Sequence, residues 1–130
     1  MTIGIMAAGF CVCHLTVPIA AHHSWTADYD LTKPFTLKGV VAKIEWTNPH
    51  ALLHIDSTDA KGTVTRWTFQ IASILQLEQG GWSRDTVKVG DRVTVDGFQG
   101  RRGRVEMTNS VANLVVLANG RRFRFNPPRD

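Results

Sequence analysis

Between residues 50 and 70 apolar and polar side chains alternate. Ala51, Leu53 and Ile55 stand against His50, Leu52, His54 and Asp56, and Thr65, Trp67 and Phe69 stand against Val64, Arg66 and Thr68. Period two is the signature of strands with one face turned to a core, and it predicts strands over 50–57 and 63–70 joined by a turn at 59–62. Upstream, residues 35–46 are β-branched and apolar enough for a long strand. Gly39 is the expected bend or bulge, and Asn48-Pro49 ends the run. At residue 71 the period changes: Ile71, Ile74, Leu75 and Glu78 fall at helical spacing, with Ser73 near the start and Gly80-Gly81 as a stop, so one short helix is expected over 71–79. Val93 and Val95 against Thr94 and Asp96 predict a strand over 92–98. Gly97, Gly100 and Gly103 point to a loop after it. Residues 105–109 and 111–117 read as one last long strand, breakable at Asn109-Ser110, and Asn119-Gly120 is a hairpin turn leading into 121–125. Residues 22–34 read as an extended arm closed by Pro34, and 126–130 as a frayed tail.

Strand, strand, strand, helix, strand, strand is the order of a mostly β chain. It fits a small OB-like Greek-key barrel of five to six antiparallel strands with one short helix, occupying residues 35–125; a small open sheet or a β-sandwich is the alternative. Ahead of it, residues 1–21 contain no Asp, Glu, Lys or Arg and are largely apolar, with Pro18 and then the small residues Ala20 and Ala21. That is the layout of an export signal helix with a cleavage site, and it predicts a periplasmic or secreted protein. No basic residue precedes the apolar stretch, so either translation starts further upstream or the signal is atypical; an uncleaved membrane anchor is the rival reading. Both cysteines, Cys11 and Cys13, lie in this segment. A mature chain cut after it would hold no disulfide, thiolate metal site or cysteine nucleophile, and the bulky Phe10 argues against lipid attachment at Cys11.

The other four histidines, His22, His23, His50 and His54, crowd into the first part of the remaining chain. Cleavage after Ala21 would leave His22 with a free amine and a ring nitrogen able to chelate one ion. Cleavage after Ala20 would leave Ala-His-His, in which the amine, two amides and the third residue's imidazole make the square-planar set that Cu(II) and Ni(II) favour. Both cuts point to a bound copper ion, with His22, His23 and His50 as candidate ligands. The bland reading is a solvated His-rich leader. His50 follows Trp46-Thr-Asn-Pro at a corner, where it could equally be an ordinary turn residue. His54 is excluded from the set: at about 3.3 Å per residue it would lie roughly 13 Å from His50 along a regular strand.

The net charge of +4 is local, since Arg101, Arg102, Arg104, Arg121, Arg122 and Arg124 supply six of the fifteen basic residues. Beside exposed aromatics on an OB barrel such clusters would suggest single-stranded nucleic acid, but export argues against that partner. An anionic envelope surface or an envelope protein suits them as well as plain solvation does. Trp25, Trp46, Trp67 and Trp82 are expected mainly as core or barrel-end plugs. The chain has no G-x-S-x-G, no H-E-x-x-H and no phosphate-cradling glycine loop. A copper ion at a terminal histidine can activate oxygen, yet no residue set here identifies a substrate surface, and no catalytic residues are assigned.

His22-His23-Ser24-Trp25, then Glu45-Trp46-Thr47-Asn48-Pro49-His50, then Gly90-Asp91-Arg92-Val93-Thr94-Val95-Asp96-Gly97, resembles a family of small exported bacterial proteins of unknown function. Its pattern runs H-H-S-F, W-x-N-P-H and G-D-x-V-x-V-x-G, and this chain departs from it with Trp25 in place of Phe. The resemblance implies that His22, His23 and His50 belong to one motif set. It implies no ligand and no activity.

Overall fold

The structure is a computed structural model and describes residues 25–101 and 110–125. The candidate ligands His22 and His23, the export segment, Arg102, Arg104 and the 126–130 tail lie outside the described residues. A helical turn, α1 (Trp25–Asp28), leads into β1 (Tyr29–Glu45), followed by β2 (Leu52–Thr58), β3 (Val64–Gln70), the helix α2 (Ile74–Gln79), β4 (Arg92–Gly100), β5 (Ser110–Leu117) and β6 (Arg122–Arg124). The sheet order is β3-β2-β1-β4-β5-β6, and neighbours in it are antiparallel. The mostly β, OB-like class expected from the element order is the one observed. One pairing departs from the antiparallel expectation. β3 meets β5 in parallel over two residue pairs, Phe69 with Ser110 and Gln70 with Val111, so the ring is joined along a short seam and is not a fully closed barrel.

The interior follows from the alternation. Ala51, Leu53, Ile55, Phe69, Val95 and Val115 are fully buried, each larger side chain contributing about 1.5–3 kcal/mol by leaving water. Phe35, Trp67 and Phe69 form an inner aromatic row with ring centroids 5.2–6.5 Å apart. A bulge interrupts β1 between Val41 and Lys43, beyond Gly39 where the bend was expected. The extra residue there shifts the alternation by one. Val41, Ile44 and Trp46 pack against the core, while Lys43 and Glu45 stand opposite β2 on the outer side.

Three sequence boundaries need correcting. β1 begins at Tyr29, so residues 29–34 are strand and not a free arm; four residues, 30–33, bulge out where β4 supplies only one. Asp30 shapes that excursion by accepting from Thr32 N and Thr32 Oγ1 at 3.2 and 2.6 Å. Gly97 and Gly100 lie inside β4 rather than in a loop. A side chain at Gly97 would strike the Val111 carbonyl and the Phe69 ring, so glycine is what lets β4 approach the seam. The helix starts at Ile74, because Ile71 and Ala72 are taken up by backbone bonds to Ala51: Ile71 N to Ala51 O and Ala51 N to Ala72 O, both 3.0 Å. Ser73 caps it, forming a reciprocal box with Gln76. Gly81, at φ +80, turns the chain so that Trp82 N reaches Leu77 O at 2.8 Å.

Candidate functional site

On the outer face of β1, β2 and β3, two sets of polar side chains are engaged with each other. His54 places Nε2 2.9 Å from Glu45 Oε1 and Nδ1 3.0 Å from Thr68 Oγ1. Glu45 also accepts from Lys43 Nζ at 2.9 Å. The lysine's hydrogen bond first, and that of His54 second, hold the Glu45 carboxyl below its ordinary range. Arg66 grips Asp56 through Nε and Nη2 at 2.7 and 2.8 Å. Those bonds lower the Asp56 pKa and raise that of Arg66. His54 is thus a hydrogen-bonding residue of the strand face, as its distance from His50 along the strand predicted. An OB fold that binds strands of nucleic acid on its β2–β3 face would present bare aromatics and cations there. This face offers paired charges, and Phe35, Trp67 and Phe69 pack against the core beneath it.

The end of the barrel beside α2 is built differently. The two bonds from Ala51 to Ile71 and Ala72 tie the corner at Asn48, the cis Pro49 and His50 to the segment that enters the helix. Next to this clamp lies a cavity of about 310 Å³. Its lining is mixed: Ile71, Leu77, Val111, Phe123, Phe125 and Trp82 are the apolar members, and His50, Gln76, Arg122 and Arg124 supply a polar share at least as large. Trp82 is 1% exposed and meets Phe123 edge-on at 4.7 Å and Phe125 at 5.7 Å. Its indole N–H and the hydroxyl of buried Ser110 have no hydrogen-bond partner among the described residues. Leaving such a group unmatched costs about 1–3 kcal/mol.

The N-terminal segment enters at the seam. Tyr29 Oη donates to Gln70 Oε1 at 3.1 Å, and Gln70 pairs with both Leu52 and Val111. Arg101 braces the turn before Tyr29, donating from its backbone N to Asp28 O at 2.8 Å and from Nε to Thr26 O at 2.9 Å. Of the arginine clusters, Arg101 is therefore engaged, and Arg121 lies over the Phe123 ring at 5.0 Å. Trp46 is partly buried under Arg84, 5.6 Å from its ring centroid.

The structure places His50 on the cavity rim and His54 on the opposite, paired face. No group of three His, Cys, Asp or Glu side chains comes together among the described residues. Gln76, Trp82 and Phe125 drew no attention in the sequence as site residues. The one local signal was the alternation Arg122-Phe123-Arg124-Phe125, which sets two cations and two rings on one edge strand.

These features define a small OB-like β protein with an arginine-edged cavity of mixed lining at the helix end of the barrel. Among the described residues no helix is long and apolar enough to cross a membrane. The chain belongs to a family of unknown function, DUF6152, whose model matches residues 10–109. No curated protein and no solved structure matches it.

Proposed function

We propose that the protein is an exported, periplasmic metal-binding module that prefers copper, with His22 or His23 and His50 as its ligands. The observation that carries the reading is the Tyr29–Gln70 hydrogen bond across the barrel seam. Gln70 is paired with Leu52, two residues beyond His50, so the N-terminal segment leaves the fold at the same barrel end as the His50 corner. Trp25–Asp28 is a helical turn rising about 1.5 Å per residue, and each residue ahead of it adds at most about 3.6 Å, so His22 can reach roughly 17 Å from Tyr29. His54 is spoken for by Glu45 and Thr68 and takes no part. Imidazole and terminal-amine nitrogen donors suit Cu(II).

The terminus is the test. Mass spectrometry of the mature protein locates the cut, and a Cu(II) titration follows on that chain and on a form whose terminal amine is acetylated. Both candidate sets use the free amine, so the acetylated form should lose its copper affinity. Equal affinity in both forms would overturn the terminal site. A competing reading, an envelope interaction module working through the arginine-rich loops, draws on the exposed Arg122 and Arg124. It predicts retention on anionic vesicles regardless of copper.

A further inference from the structure

We infer that the cavity between α2 and the β5–β6 hairpin is a binding site for a compact aromatic carboxylate. The proposal does not depend on a metal or on the N-terminal histidines. The volume of about 310 Å³ lies at the lower end of the range that small-molecule pockets occupy, about 300–1,000 Å³. That size takes one small amphipathic molecule rather than a peptide or a lipid.

The walls specify its body. Trp82, Phe123 and Phe125 meet at 4.7 and 5.7 Å with steep interplanar angles of 67° and 59°. Trp82 and Phe123 are themselves buried, so a bound flat ring would meet the cluster at Phe125, its partly exposed member. Ile71, Leu77 and Val111 supply the opposing aliphatic surface.

The lining specifies its head group. Arg122 and Arg124 stand two apart on the edge strand β6, exposed on either side of buried Phe123. Neither has a hydrogen-bond or ion-pair partner among the described residues, and no Asp or Glu lines the cavity. Two uncompensated guanidiniums on a cavity of mixed lining match a carboxylate, which accepts paired N–H donors in a planar fork. His50 and Gln76 add further polar groups to the lining. The contrast with Arg66 is instructive: that arginine has its carboxylate, Asp56, already in the chain. Edge strands often carry cations simply to block pairing with another chain, and the experiment separates that role from recognition.

The probe is 2-naphthoate, titrated calorimetrically into the mature protein with EDTA present, beside the uncharged 2-naphthalenemethanol. The expected result is saturable binding of the carboxylate, about tenfold or more tighter than the alcohol. Arg122→Gln together with Arg124→Gln, both exposed changes that leave the core untouched, should erase that preference. Ala72→Leu, which narrows the cavity, should weaken both compounds while the double arginine variant still binds the alcohol. Equal affinity for carboxylate and alcohol in the wild type would reduce the arginines to edge protection and overturn the site. So would the absence of saturable binding by either compound up to about 1 mM.

Discussion

The two ends of the sheet solve the problem of polar groups in opposite ways. On the outer face of β1–β3 each charged group found near another is matched within the chain: His54 with Glu45 and Thr68, Glu45 with Lys43, Asp56 with Arg66. At the helix end, Trp82 Nε1 is buried without a described partner, and Arg122 and Arg124 face solvent beside a cavity of mixed lining. A closed set of hydrogen bonds stabilises a surface and leaves it little capacity for a ligand. Unmatched donors around a cavity cost stability and retain that capacity. The difference teaches where this fold can act: the strand face that OB barrels often use for binding is chemically spent, and the opposite end is not.

Removing Trp82 should have the largest effect. Trp82→Ala empties the centre of the Trp82–Phe123–Phe125 cluster, and chemical denaturation should show a loss of about 3–5 kcal/mol. A loss below about 1 kcal/mol would mean the helix end is loosely packed, and the contrast between the two regions would fail.

A smaller effect is expected on the paired face. His54→Ala removes one bond to Glu45 and one to Thr68 from a side chain only 15% exposed, and should cost about 1–2 kcal/mol by the same measurement. Cavity binding of 2-naphthoate should be unchanged, because the two regions are independent.

Acid should produce the smallest change, and one with a definite sign. Glu45, Asp56 and Asp30 all have carboxyl groups held below their ordinary values, Asp30 chiefly through the Thr32 hydroxyl. A carboxylate whose folded pKa is depressed contributes its stability above the unfolded value and loses it as pH falls through the folded one. The urea midpoint should therefore begin to fall below about pH 4.5 and continue falling through the more acidic range. The fall should shrink in high salt, as exposed pairs are screened. Asp56→Asn should flatten part of that slope; an unchanged slope would show that the Arg66 pair contributes nothing.

Much of the fold is legible in local pattern. Ala51, Leu53 and Ile55 were set against His54 and Asp56 by alternation alone, and the three are buried. Gly80-Gly81 marks the helix end because a left-handed residue is needed there, and Asn119-Gly120 turns the last hairpin, with Asn119 Oδ1 accepting from Arg121 N at 3.0 Å. What pattern does not carry is register. The bulge at Ala42 inverts the alternation of β1 with no local cue, and it is what brings Glu45 to His54. The excursion at 30–33 is set by pairing to β4, far away in sequence. Gly97 looked like loop punctuation because its reason, the Val111 carbonyl, lies across the seam. The cavity is harder still to read, since it assembles from residues 50, 71–82, 111–112 and 122–125, which only the short β3–β5 pairing brings together. His50 was visible as a corner residue; its neighbours at the rim were not.

The two described histidines differ in kind: His54 serves the strand face, and on the proposed reading His50 serves a copper site with the N-terminal histidines. A Cu(II) titration of the mature protein, its His50→Ala variant and its His54→Ala variant tests this most directly. The account predicts that His50→Ala weakens copper binding about tenfold or more, while His54→Ala matches the wild type despite its lower stability. Equal affinity in all three proteins, or a loss confined to His54→Ala, would contradict it.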